Sequence, residues 1–275
     1  MTPRPKQRRN RIRAFVVAAA ATGIAAAGVA ALADSPAVAP SPPPPRADVD
    51  AQALPDPVAP AFTPPKPRSL GSKGVATWAP VRRAVAARLR PEVEAPVVAT
   101  LATTTPEETD NIVLVHGREA DEDGRLWVKV RIPALPKNVT AWVERSALGG
   151  YTVVRTRLDI DVEAMTLTLY RAGRAVFEAP VGVGTAAWPT PKGDFYVRNK
   201  LTRFASPFYG PVAFGTSARS RVLTDWPGGG FVGIHGTNAP ELLPGRVSHG
   251  CIRLRNDDIV RLAELMPVGT PVTIT

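Results

Sequence analysis

The chain has 275 residues and a formal net charge of +10, with 21% charged and 44% hydrophobic side chains, 30 prolines, three histidines and one cysteine. One cysteine excludes a disulfide framework and a four-thiolate zinc site, and the lack of several long apolar runs excludes a polytopic transporter. Six of the 34 basic residues fall in residues 1–33, which hold no acid, so 28 remain against 24 acids, a balance of +4. That balance fits an ordinary solvated surface or weak contact with an anionic polymer. With no basic stripe interleaved with aromatics, it makes no case for nucleic acid.

In chain order, residues 1–33 read as a signal peptide or signal anchor. A basic head ends at Arg13, an apolar stretch runs from Ala14 to Ala33, and Ala31-Leu32-Ala33 precedes Asp34 as an A-x-A cleavage pattern. The rest of the chain is therefore expected in the cell envelope, in the periplasmic or cell-wall space. Membrane contact is expected only through residues 14–33, if they are left uncleaved. Residues 34–92 read as a Pro-rich linker, since 15 of the 30 prolines lie between Asp34 and Pro96. The first half, 34–68, is an extended and disordered spacer with polyproline II character at Pro42–Pro45. In the second half, Val81–Arg90 is expected to form a short basic helix ended by Pro91.

Residues 93–149 read as a small β module. Leu126, Val128, Val130 and Ile132 alternate with Arg125, Lys129 and Arg131, which predicts a strand with two unlike faces. Asp121–Gly124 is a turn, and Ala141-Trp142-Val143 is a second short strand. His116 has no other metal-ligating residue near it in sequence and reads as an ordinary surface or core histidine. Residues 150–275 are β-rich again. Leu158, Ile160 and Val162 alternate, and Met165–Leu169 turns through Arg171–Arg174 into Ala175–Val183 as a hairpin. One α-helix is predicted near the end. Asn256 would be its N-cap, Asp257 and Asp258 its first turn, and Ile259, Leu262, Ala263 and Met266 its apolar face. Pro271–Thr275 closes the chain as a strand. The expected fold class is thus mostly β with one C-terminal α-helix.

The chemistry concentrates in Ile234-His235-Gly236-Thr237-Asn238 and Ser248-His249-Gly250-Cys251-Ile252-Arg253. A free thiol is ionised by only a few per cent at neutral pH, and a nearby imidazole that accepts its proton makes it a nucleophile. Glycine before the cysteine leaves the backbone free to turn N–H groups toward a developing oxyanion. A buried inert cysteine is the common alternative, but an exported chain with one unpaired cysteine beside His and Gly favours the nucleophile. His235, His249 and Cys251 could in principle form a His₂Cys metal set. With neither an H-E-x-x-H helix nor a second cysteine, no metal and no cofactor is expected. Gly182–Ala187 fits a G-x-G-x-x-A pattern, yet Trp188-Pro189-Thr190-Pro191 follows where a dinucleotide site needs a helix. Tyr209, Trp226 and Phe208 are candidates either to line a cleft or to fill the core.

His235-Gly236-Thr237-Asn238 followed after a gap by Ser248-His249-Gly250-Cys251 resembles the catalytic signature of the YkuD-type L,D-transpeptidases. The resemblance runs from about Thr152 to Thr275 and includes Thr190-Pro191-Lys192-Gly193-Asp194-Phe195 and Phe208-Tyr209-Gly210-Pro211. It implies that Cys251 is the acylated nucleophile, His235 the general base and acid, and His249 a second site histidine. It further implies that the Gly250 and Cys251 N–H groups form the oxyanion hole and that the Gly236 carbonyl orients His235. Many members carry Asn two residues after the cysteine. Here Arg253 stands there, suited to a substrate carboxylate. With Arg253, the residues Ser248, Thr237 and Tyr209 complete the expected substrate-binding set.

The implied substrates are peptidoglycan stem peptides. Attack on the L-centre carbonyl of the diamino acid would release the terminal D-Ala, and a second stem amine would give a 3-3 cross-link. Carbapenems are expected to acylate the same sulfur. Two alternatives share the sequence: an L,D-carboxypeptidase using the same site, and a non-catalytic cell-wall-binding protein. Residues 125–148 also resemble bacterial SH3-like modules, through Leu126-Trp127-Val128-Lys129-Val130 and Trp142-Val143-Glu144-Arg145. That implies a small SH3-like β-barrel ahead of the catalytic domain.

Overall fold

The computed structural model describes residues 68–69, 74–135, 137–202, 206–223 and 230–275. The expected export segment 1–33, the extended spacer up to residue 67 and Trp226 lie outside the described residues. Among those described, two β-sheets and a single α-helix, Asn256–Leu265, carry the architecture, so the chain is mostly β.

The first sheet runs in the order Val97–Leu101, Val85–Arg88, Val139–Glu144, Leu126–Ile132, Ile112–Ala120, Ala76–Pro80 and Thr152–Val154. Trp127 shows how side chains tie its hairpin. Its ring is buried, and its Nε1–H donates to Asp121 Oδ2 at 2.8 Å, while the Arg125 N–H donates to Asp121 Oδ1 at 2.8 Å. Val128, Val130 and Ile132 point into the core, whereas Leu126, expected with them, begins the strand exposed.

Two expectations change here. Val85–Arg88, expected to be helical, is a strand paired with Val97–Leu101 and through Arg88 with Trp142. Its alternating burial, with Val85 and Ala87 inside, is a period of two that helical spacing would break. Residues before 93 also join this sheet: Arg68–Ser69 pairs with Ile112–Ala120, and Ala76–Pro80 pairs with Ile112–Ala120 on one side and Thr152–Val154 on the other. Thr152–Val154 therefore belongs to this first sheet, and the second begins at Thr156.

The second sheet runs Arg174–Pro180, Thr166–Arg171, Thr156–Asp161, Pro271–Ile274, Gly193–Leu201, Ala213–Arg219, Phe231–His235, Ile252–Arg253, Gly182–Gly184 and Gly245–Ser248. One core cluster unites Leu158, Ile160, Leu167, Leu169, Phe195, Phe214, Ile234 and Ile252 with Ile259 and Leu262 of the helix. Each such side chain contributes about 1.5–3 kcal/mol on burial. This burial, more than helix propensity, holds a ten-residue helix in place. The helix is capped by Arg255, in extended conformation, and not by Asn256, which is its first helical residue. The Asn256 carboxamide is occupied elsewhere: its Oδ1 accepts the Thr237 N–H at 3.0 Å.

The sheets meet around Tyr196, Ile112 and Leu114, against which Trp78 packs. The fully buried Tyr196 hydroxyl donates to the Ile112 carbonyl at 3.1 Å. Asn138 Nδ2 donates to Ser217 Oγ at 2.6 Å, and Arg131 Nη1 to the Asp194 carbonyl at 2.8 Å. A buried polar group left unpaired costs stability, so these cross-sheet bonds fix how the two layers dock.

Candidate active site

Parallel pairing assembles the site. Phe231–His235 lies beside Ile252–Arg253 with Ile234 opposite Ile252 and His235 opposite Arg253, and the Leu254 N–H extends the pairing by donating to the His235 carbonyl at 2.9 Å. Side chains alternate along strands. One face of this pair therefore presents Gly233, His235, Cys251 and Arg253 together, although 16 residues separate His235 from Cys251. The bare face of Gly233 opens the space between them. A Cβ there would lie 3.7 Å from His235 Cδ2 and 3.9 Å from Cys251 Sγ. The Gly233 N–H points at the sulfur, 3.4 Å away.

His235 is buried, and its Nδ1 lies 2.6 Å from the Gly236 carbonyl. A carbonyl only accepts, so Nδ1 carries the proton and Nε2 is left with its lone pair. Burial pulls His235 down to about 4, against the support of the Gly236 bond and helped by the Arg253 charge. Burial pushes the Cys251 thiol up, opposed by the Gly233 N–H and by Arg253. Both shifts favour a neutral thiol and a neutral imidazole.

The cysteine turn is held by Ser248 and Thr190. The Ser248 hydroxyl donates to the Cys251 carbonyl at 2.6 Å and accepts the Gly250 N–H at 3.1 Å. Gly250 has φ of 110°, in the region that favours glycine. The buried Thr190 hydroxyl donates to the Gly250 carbonyl at 3.0 Å and accepts the Gly184 N–H at 2.9 Å. The Gly250 N–H is thus spent inside the turn and does not face an oxyanion. Of the expected amide pair, Cys251 is left. Ser248 and Thr237, expected to touch substrate, are both buried and turned inward. The Thr237 hydroxyl accepts the Ala239 N–H at 3.1 Å, and its own N–H is held by Asn256. Asn256 fits because Gly210 and Gly236 leave it a slot: a Cβ on either would come within 2.4 Å of Asn256 Oδ1.

A cavity of about 100 Å³ opens on this face, lined by His235, Cys251, Arg253, Phe208, Tyr209 and Phe231, with His249 at its side. Tyr209 meets the His235 ring edge-on at 4.7 Å, and His249 packs on Trp188 at 4.3 Å. Arg253 is 7% exposed and lies 4.5 Å from the Phe208 ring centroid, and its buried Nε has no protein partner. A buried guanidinium with an unspent N–H beside a thiol is chemically equipped to hold an anionic group. Among the described residues no three His, Cys, Asp or Glu side chains converge as a metal set. The expectations missed Phe231, Thr190 and Asn256. For Thr190 and Asn256 the available signal was a run of glycines (Gly184, Gly210, Gly236, Gly250), each marking a close approach.

The family model for the YkuD L,D-transpeptidase catalytic domain matches residues 155–274. A putative L,D-transpeptidase YkuD of Bacillus licheniformis is 35% identical over 119 residues, which cover 43% of this chain and 65% of that protein. The Bacillus subtilis counterpart is 36% identical over 115 residues, covering 42% of this chain and 63% of that protein. The chain therefore spans a little under two thirds of the length of these relatives. Among solved structures, the catalytic domain of an E. faecium L,D-transpeptidase is 28% identical and covers 44% of this chain and 96% of that one, with a TM-score of 0.34.

Proposed function

We propose that residues 155–274, which match the YkuD L,D-transpeptidase catalytic domain model, are a catalytic domain of that kind, and that the protein cross-links peptidoglycan stem peptides through a thioacyl enzyme on Cys251. The observation that carries this reading is the shared sheet face of Cys251 and His235, with His235 Nδ1 tied to the Gly236 carbonyl. The thiol proton passes to His235 Nε2 as Sγ attacks the L-centre carbonyl of the diamino acid. The tetrahedral oxyanion, facing the Cys251 N–H, collapses with cleavage of the C–N bond, and His235 returns the proton to the departing D-Ala amine. A thioester remains. An amine of a second stem attacks it, loses its proton to His235, and expels the sulfur. General acid–base help of this kind supplies about 10²–10⁴ in rate.

Arg253 is assigned a carboxylate of the donor stem. Tyr209 and His249 border the cleft beside His235 and the cysteine turn. The site needs no metal or cofactor for this chemistry. The export-signal pattern read in the sequence of residues 1–33 supports an envelope location, where such a substrate lies. Carbapenems are expected to acylate Cys251.

The test is product analysis of a disaccharide-tetrapeptide carrying meso-diaminopimelate, with wild type, Cys251→Ala and His235→Ala. Wild type is expected to give a dimer that has lost one alanine, and neither variant should do so while remaining folded. Tripeptide alone would make the protein an L,D-carboxypeptidase. No conversion by folded wild type would contradict the enzyme reading and favour a wall-binding protein.

A further inference from the structure

A second buried arginine lies behind the cavity. Arg198, on Gly193–Leu201, is 3% exposed. Its Nε donates to the Thr216 carbonyl at 2.9 Å, and its guanidinium carbon lies 3.7 Å from the centroid of the Phe231 ring. Phe231 is both a wall of the cavity and the first residue of the strand that ends in His235. Thr216 reinforces the same corner, because its hydroxyl donates to the Val232 carbonyl at 2.6 Å. The start of the His235 strand is thus held by Arg198 and by the irregular stretch of Ala213–Arg219 that Arg198 grips.

The acid that neutralises Arg198 comes from the other sheet's side of the molecule. Glu107 sits in the loop between Val97–Leu101 and Ile112–Ala120. Both of its oxygens accept from Arg198 Nη2, at 3.0 and 3.2 Å. Asn199 adds to the grip: its Nδ2 donates to Glu107 Oε2 at 3.1 Å and Thr109 Oγ1 at 3.0 Å, and its Oδ1 accepts the Gly215 N–H at 2.9 Å. The loop is built to present Glu107. The Thr105 N–H donates to the Thr109 carbonyl at 2.8 Å, their hydroxyls share a bond of 2.8 Å, and Glu108 adopts a φ of 60° to close the turn.

We propose that Glu107 is a positioning residue for the active site: the loop of the first sheet fixes Arg198 and, through it, the Phe231 wall beside Cys251. The first sheet would then shape the cavity from behind without lining it. A buried guanidinium that loses its carboxylate seeks water or another acceptor. Here such movement would withdraw the surface on which Phe231 rests. The inference concerns the shape of the cavity. It rests on the enzyme reading only where stem peptides are used as the probe.

The test compares full-length wild type with Glu107→Gln, Glu107→Asp and the module-core control Val128→Ala, which weakens packing far from the cavity. Cys251 is alkylated with iodoacetamide and, separately, with its N-phenyl analogue, whose ring must pass the cavity wall. The ratio of the two rates reports cavity shape without any stem peptide. In Glu107→Gln the ratio is expected to change by about five- to ten-fold, with partial recovery in Glu107→Asp and no change in Val128→Ala. An unchanged ratio in Glu107→Gln, or equal changes in Glu107→Gln and Val128→Ala, would overturn the proposal. Turnover of the tetrapeptide by wild type is scored separately and bears on the enzyme reading alone. Where it occurs, Glu107→Gln is expected to raise KM by about ten-fold with a smaller change in kcat.

Discussion

Two arginines stack on aromatic walls of one cavity, and they are finished differently. Arg198 lies on Phe231 with its Nε committed to the Thr216 carbonyl and its Nη2 to Glu107. Arg253 lies on Phe208 with its buried Nε unpaired by protein. A buried cation whose hydrogen bonds are satisfied by the chain is scaffold, and one that keeps a donor open beside a nucleophile is equipment for a ligand. The cavity thus has a back wall fixed by the fold and a mouth with an open donor, which the proposed function fills with substrate.

Stability measurements can break this distinction most sharply. Arg198→Met leaves the Glu107 carboxylate half-buried without its cation, and should cost about 3–5 kcal/mol in urea unfolding. Arg253→Gln should cost less than about 1 kcal/mol, because no protein partner is orphaned. Similar losses in the two variants would erase the contrast.

The next effect is on pH dependence. Burial holds His235 at about 4 in the folded chain, below the value of about 6.5 for an unhindered imidazole. Between these values the unfolded chain binds the extra proton. Stability is therefore full above about pH 6.5 and falls as pH drops through 4, by about 3 kcal/mol for this one group. Half-buried His116, also pulled down to about 4 by burial and then by Arg131 and Lys129, acts in the same direction. Urea unfolding at stepped pH should show a shallower acid slope in His235→Gln than in wild type; identical slopes would contradict the neutral buried imidazole.

The smallest effect concerns the open arginine. Arg253→Gln should reduce kcat/KM by about 10²-fold, as expected for removing one partner of a desolvated charge contact, while the melting temperature stays near that of wild type. Because Arg253 also helps to lower the Cys251 thiol, the variant should react more slowly with iodoacetamide near pH 8. A variant with wild-type kcat/KM would remove Arg253 from the substrate site.

The sequence made the chemistry more legible than its support. His235 and Cys251 stand out because few residue types make a nucleophile and base, and Gly250 beside them marks the turn. The helix is legible from its apolar spacing. Ser248 and Thr237 were placed near the site, but a residue letter does not say whether a hydroxyl faces the cavity or its own loop. Val85–Arg88 is alanine- and arginine-rich, a composition that favours helix, and only the neighbours Val97–Leu101 and Trp142 make it a strand. Glu107 and Arg198 are 91 residues apart and share no period or motif. Their pairing exists only once both sheets are folded and docked.

The most direct test of Cys251-dependent acyl transfer is the intact mass of the full-length protein after mixing with a tetrapeptide stem whose diamino-acid side-chain amine is acetylated, so that it can donate but not accept. The account predicts an adduct equal to the stem minus its terminal alanine, mapped to Cys251 in wild type and absent from Cys251→Ala. An adduct on another residue, or its persistence in Cys251→Ala, would contradict it, as would a folded, unmodified wild type that releases no alanine.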